Sequence, residues 1–588
     1  MFLSLKQKAV LIGAFWAFFS AGPAFAQEPP VQLLSATDVE RYQQIFALQE
    51  AGQIKKADKY IADIDNEILM GHVLSQRYLH PTAWRSTYSE LKNWLDIYND
   101  HPAASRIKWL ADKRKPRKAA APKKPKKGYL NGVGNPTNQS WRPYIPTTRT
   151  GRASPRQTAK IASTIRRSIR RKEPTNASKY LNQKSVLRYL TAEEEAHLRG
   201  EIAHGYFIFG LDDKALRTAR QAIAKGKNKA YMAYWAAGLA AYRSHQPDLA
   251  GIYFRTLAEE ETAPAALRSS AAFWAHRIAL ARGEVAQAMT YLDIAASYPD
   301  LFYGVMARQA SGQDQALDFT LPPLSDDFND WLIAQRGGRR TLALLQVGNW
   351  TEAGRELRYL YAEASLDRRR DMMVFAVQQN MPGLAFRIAD IFLRNHGERY
   401  NAALYPRPEV AVEFQVDQAL VWAIARRESS FYPLARSRVK ASGLMQIMPA
   451  TAAFISGDRR LRTTHRHLLH NPAFNLKLGQ DYIRHLLDER VVNGELVRML
   501  AAYNGGPGNL NKWLRGMSRR DDLFLMIESI PARETRNYVK SVVSDMAVYR
   551  QKFGQDTPIL RGLVTGLVDQ EVGLLLTQNS HFIPNKKP

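Results

Sequence analysis

The stretch Glu428-Ser429-Ser430-Phe431-Tyr432-Pro433, followed ten residues on by Gly443-Leu444-Met445-Gln446-Ile447-Met448-Pro449, decides how this chain is read. Val416, Leu420, Ala423 and Ile424 precede it at steps of three and four, the spacing of one helix face, and the same face carries Glu428 at its end. That places a carboxyl group toward the protein interior, where an unpaired glutamate is rare. Tyr432-Pro433 stops the helix, Ser442-Gly443 makes a turn, and Pro449 suits the first turn of a new helix through Ala450, Ala452, Ala453 and Phe454. Glu428 and the residues around Gln446 are therefore expected to face each other across a short loop.

Two further runs follow in order. They are Ala502-Tyr503-Asn504-Gly505-Gly506-Pro507-Gly508, and Ile530-Pro531-Ala532-Arg533-Glu534-Thr535-Arg536-Asn537-Tyr538-Val539. Together with Ala419 to Thr451 they resemble the catalytic domain of the soluble lytic murein transglycosylases. A single short motif would carry little weight; three in the family's order are specific.

The resemblance implies a cleavage of the bond between N-acetylmuramic acid and N-acetylglucosamine that uses one carboxyl group rather than the usual two. Glu428 would protonate the glycosidic oxygen and then take the proton of the sugar's own 6-hydroxyl as it attacks, leaving a 1,6-anhydro end. The substrate's acetamido group would meet the charge at the anomeric carbon. Such an acid must stay protonated near neutral pH, which requires desolvation. Met445, Ile447, Met448 and Trp422 are the apolar side chains available nearby.

By the same resemblance Ser437 matches a serine that hydrogen-bonds the acetamido group, and Gln446 and Met448 match pocket-lining positions. Tyr503 matches a tyrosine facing the catalytic acid, Asn504 the asparagine beside it, and Glu534 a substrate-contacting carboxylate. Each has an ordinary alternative: Met448 and Tyr503 as core, Asn504-Gly505 as a turn, Glu534 and Arg536 as a surface ion pair. The chain departs from the family where Ser-Pro-x-Gly-Ala is common and Ser437-Arg438-Val439-Lys440-Ala441 stands instead. Either the loop takes another path, which removes the Ser437 role, or Arg438 and Lys440 meet carboxylates of peptide stems. Two neighbouring readings stay open: a muramidase on the same fold that admits water, and a non-catalytic murein-binding scaffold.

The first twenty-six residues read as a signal peptide. Lys6 and Lys8 precede an apolar run from Ala9 to Phe19, and Ala24-Phe25-Ala26 closes it. The run is shorter than the roughly twenty residues of a membrane span. Export to the periplasm is the expectation. With no cysteine in the chain, neither a disulfide framework nor a lipid-modified cysteine is available.

The expected fold is mainly all-α: a helical solenoid, or superhelix, followed by a goose-type-lysozyme-like catalytic domain. Residues 27–112 are read as an N-terminal helical region, with Val39, Tyr42, Ile45 and Phe46 in helical steps. Residues 176–410 are read as a tetratricopeptide-like superhelical region, in which small residues alternate with aromatics, as in Tyr231-Met232-Ala233-Tyr234-Trp235. Residues 411–552 form the catalytic domain, and 553–588 a tail without assigned function.

Between these lies a basic insertion, 113–175, read as largely disordered. It holds nine Lys/Arg from Lys113 to Lys127 and ten more from Arg142 to Lys172, which is most of the formal net charge of +28. Ile161 to Arg171 is its one helical stretch. A solvated linker is the plain reading. The export signal and the scarcity of aromatics argue against nucleic acid, so anionic lipid or murein peptides are the partners such a segment would meet. His465, His467 and His470 have no compelling metal-site spacing, and neither metal nor cofactor is expected. Peptidoglycan glycan strands are the expected partner; the sequence assigns no oligomeric state.

Overall fold

The computed structural model describes residues 30–134, 154–312, 317–518 and 521–556. Among these residues every regular element is a helix; pairing of extended backbone is confined to two isolated bridges, Arg436 with Ser442 and Ser442 with Ile447. The signal-peptide reading, the middle of the basic insertion and nearly all of the C-terminal tail lie outside the described residues.

Two compact units emerge, and they do not follow chain order. Among the described residues the first joins 30–134 to 318–411 and 430–432. The region read from sequence as one superhelix, 176–410, is thus divided, because polar side chains from 318–411 pair with the N-terminal helices. Gln346 accepts the backbone N–H groups of Leu33 and Leu34 at 2.8 and 3.0 Å. Buried His72 lies 2.9 Å from Glu356, which Arg340 also grips at 2.6 and 2.9 Å. The partners of Leu33, Leu34 and His72 lie 284 to 313 residues away in sequence and no local pattern announces them.

Within this unit the helix Tyr88–Tyr98 begins at a capping box formed by Thr87 and Glu90 and buries Leu91, Trp94 and Leu95. Residues 115–134 form no regular element, yet they are tied down. Leu130 N–H donates to Arg358 O at 2.9 Å, and the Arg358 guanidinium donates to Leu130 O and Gly132 O.

Among the described residues the second unit comprises 154–312, 317, 412–429, 433–518 and 521–556. It opens on the helix Pro155–Arg170, which has Ser154 and Gln157 as a capping box and Pro155 in its first turn. Thr158, Ile161, Ala162 and Ile165 form its buried face. The helical stretch read from Ile161 to Arg171 is part of this longer helix, whose apolar residues at helical spacing give the segment something to bury.

Antiparallel helices follow from Ala192 to Ser311. Close approach is set by small residues: a β-carbon at Gly238 would stand 2.4 Å from the Phe254 ring, so the Tyr231–Arg243 and Pro247–Glu259 helices fit only because that carbon is absent.

The same unit carries residues 412–556 against this helical array through the short helix Leu523–Ser529. Phe524 packs among Phe273, Phe302 and Tyr303, with ring centroids 5.0 to 6.1 Å away. Asp522 accepts from Tyr242 and Arg277 at 2.9 and 3.0 Å. Buried Glu528 accepts from Tyr303 Oη at 2.7 Å and Lys540 Nζ at 2.8 Å. Partnered buried charges of this kind fix geometry more than they add stability.

Candidate active site

The helix Gln418–Ser429 is buried along almost its whole length, from Ala419 to Arg426. Its start is fixed by Asp417, whose carboxylate accepts the Ala419 N–H at 2.8 Å and also pairs with buried Arg550. Its end is fixed by Asp545, which accepts from Arg426 at 2.9 Å and from Arg427. Arg550 and Asp545 both sit on the long helix Arg533–Lys552. Two buried ion pairs therefore set the axial position of the helix that carries Glu428, which is why its last turn is held as firmly as its first.

Glu428 is half-buried by exposed surface, while protein atoms crowd its carboxyl as they would in an interior. A carboxyl recessed behind neighbouring side chains shows this combination. Burial pushes its pKa up to about 7, and the negative charge of Glu534 adds to the effect. The Tyr538 phenol works against it by facing the carboxyl, although the hydroxyl completes no hydrogen bond with any described residue and is buried.

Tyr503 lies parallel to Tyr538, ring centroids 6.4 Å apart and planes 5° from coplanar, with Tyr482 on its other side at 5.3 Å. Burial and the charge of Glu428 hold both phenols, Tyr503 and Tyr538, protonated at any ordinary pH. Tyr503 Oη donates to Met445 O at 2.8 Å, which ties the tyrosine stack to the loop carrying Gln446.

That loop turns on Gly443, at φ +85°, where a β-carbon would stand 2.1 Å from Leu469 O and 2.2 Å from the Asn475 amide. Only glycine fits. Asn475, fully buried, accepts from Met445 N–H at 2.8 Å and donates to Ser442 O and Leu469 O at 3.1 and 2.9 Å. Gln446, left-handed at φ +48°, donates its amide to Ala435 O at 3.1 Å and Gly443 O at 2.9 Å.

The residues singled out from sequence fall into three groups. Glu428, Tyr503 and Glu534 share one electrostatic environment, with Glu534 exposed in the first turn of its helix. Gln446 and Asn504 serve neighbouring backbone and side chains: Asn504 accepts from Thr535 Oγ1 at 2.7 Å. Ser437 closes its own loop, its Oγ accepting the Ala441 N–H at 3.0 Å.

Of the apolar candidates, Met445 and Ile447 are buried, whereas Met448 is 38% exposed, and Trp422, six residues before Glu428 on the helix and so on another face, is buried against Phe414. His465, His467 and His470 each engage a different oxygen, on Asp458, Thr464 and Pro433 respectively.

Tyr538, Asn475 and Asp545 were not singled out. Tyr538 lies inside a quoted run; the other two carry no local signal.

Residues 408–523 match the model of the transglycosylase SLT domain. That stretch of the chain is an SLT domain by similarity. Over 298 residues it is 30% identical to the soluble lytic murein transglycosylase of Salmonella typhimurium, a match covering 49% of this chain and 44% of that one. Over 148 residues it is 38% identical to the Escherichia coli K12 protein of the same name, covering 25% and 22%. The matches thus span less than half of these curated relatives. The fold extends further: the 70 kDa soluble lytic transglycosylase of Escherichia coli superposes with a TM-score of 0.53 at 18% identity, over 89% of this chain and 98% of that one. The SLT domain match stops before Glu534 and Tyr538, so the helix that completes the site lies beyond it.

Proposed function

We propose that this chain is a lytic transglycosylase, cutting the N-acetylmuramic acid to N-acetylglucosamine bond of peptidoglycan without water and leaving 1,6-anhydro ends. One observation carries the reading: a single recessed carboxyl, Glu428, with its pKa raised to about 7. Near neutrality both its protonation states are populated, which suits a group that first gives a proton to the leaving oxygen and then accepts one from the 6-hydroxyl. Among the described residues Glu534 is the one carboxylate whose charge acts on it, and Glu534 is exposed at a helix start. That favours a one-carboxyl cycle assisted by the acetamido group over a two-carboxylate hydrolase.

In this reading the tyrosine pair Tyr503 and Tyr538 shields the acid and sets its pKa. Gln446, Met448, Asn504 and Glu534 line the path of the glycan, and Ser437 reaches the acetamido group through its hydroxyl hydrogen. The protein works in the periplasm after removal of residues 1–26, and no helix among the described residues is long and apolar enough to cross a membrane. The outward basic side chains of the Pro155–Arg170 helix add affinity for anionic lipid or murein.

Mass spectrometry of digested sacculi tests the proposal. Anhydro ends are expected, whereas ends carrying an added water would point to a muramidase. Glu428→Gln should abolish release of either product; undiminished digestion would leave only a binding scaffold.

A further inference from the structure

The loop beside the acid differs in kind from its surroundings. Ser437 N–H donates to Ala441 O at 2.9 Å, Lys440 N–H donates to Ser437 O at 3.0 Å, and Ser437 Oγ takes the Ala441 N–H. These three bonds make a tight projection with Arg438, Val439 and Lys440 at its tip, all exposed, Val439 by 68%. Arg436 stands exposed at its base, in the bridge to Ser442. Among the described residues neither Arg438 nor Lys440 meets a carboxylate. The base of the projection is the Gly443–Ile447 turn, clamped by Gln446 and bonded to Tyr503, so the cations stand next to the glutamate's own loop.

Lys440 adds an independent sign. Its φ is +76°, a conformation that glycine adopts freely and a β-carbon resists. Nothing in the fold requires a side chain there, since the lysine is exposed and its neighbours are held by backbone and Ser437. Strain kept at an exposed position that leads into the Gly443–Ile447 turn, which Tyr503 ties to the surroundings of Glu428, points to a use for that side chain outside the fold.

We propose that the 437–441 loop recognises the free carboxylates of the peptide stems carried by murein strands, with Arg438 and Lys440 as the cations. The inference rests on the lytic transglycosylase reading above. A guanidinium offers a stem carboxylate a two-pronged hydrogen bond and an ammonium a mobile point charge, so the pair suits a flexible anionic peptide better than a neutral sugar. The exposed Val439 between them gives the peptide an apolar contact. The loop thereby makes the enzyme selective for strands that still bear peptides.

The test compares soluble glycan strands with and without their peptides, the latter prepared by amidase treatment, as substrates for the parent and for Arg438→Ala with Lys440→Gly. The parent should show the lower KM on peptide-bearing strands. The double variant, melting like the parent, should raise that KM about tenfold relative to its KM on stripped strands. Lys440→Arg should keep the parent's preference, and added salt should erode it. An unchanged KM ratio in the double variant, or a parent indifferent to peptides while cutting both strands, overturns the inference alone. A parent that cuts neither strand overturns the function proposed above and this inference with it.

Discussion

Tyr538 lies flat against Tyr503, 5° from parallel, and turns toward Glu428 a hydroxyl that is buried yet bonded to no described residue. A phenol so placed lowers the pKa of the acid it faces, opposing the rise that burial and Glu534 produce.

Tyr538→Phe should therefore move the Glu428 pKa above about 7, and the alkaline limb of the kcat/KM profile should shift upward by about half to one unit. A limb that stays in place, or moves down, would show that the phenol does not act on the acid.

Glu428 also makes stability depend on pH. Its folded pKa, about 7, lies above the unfolded value of 4.5, so the folded state holds the proton over that interval while the unfolded state releases it. Stability attributable to this group thus falls as pH rises from about 4.5 through 7. Glu428→Gln escapes the loss. The variant should match the parent in denaturant titrations near pH 4 and exceed it by roughly 2–3 kcal/mol at pH 8.

Asp545 is shared by Arg426 and Arg427 at the end of the Glu428 helix, and Arg426 and Asp545 are each 2% exposed at the side chain. Asp545→Asn keeps the shape and removes the charge. The expected loss is about 3 kcal/mol, read as a lower melting temperature, because two guanidiniums then crowd a buried site without the carboxylate they share.

Gly443→Ala should be worse than its size suggests. The added carbon meets Leu469 O and the Asn475 amide well inside contact distance, at a φ that disfavours any side chain. Loss of activity with retained helical circular dichroism is expected, since the Gln446 loop moves while the helices stand.

How much of this was legible in the sequence follows from range. The helix ending at Glu428 shows in the spacing of Leu420 and Ile424, and Pro449 marks the next helix start, because capping and periodicity are local. Asp545 lies 119 residues from Arg426, and Asn475 lies 30 from Met445; no period links such partners. Tyr538 was visible inside its run, yet only the parallel ring of Tyr503 shows what it faces. Met448 reads as a wall by composition and is exposed, since Pro449 turns the backbone there. Of the helix Pro155–Arg170 only the part from Ile161 was read; its start, the Ser154 and Gln157 capping box before Pro155, was passed over in a segment dominated by charge.

The mooring of Leu523–Ser529 limits how the molecule can be taken apart. Freed from residues 192–311, the piece beginning at residue 411 would present Phe524 to water and leave the Glu528 carboxylate without its tyrosine. An excised domain would thus tend to clump unless those two positions were made hydrophilic or resized, so the natural dissection boundary runs upstream of the helices that clasp it.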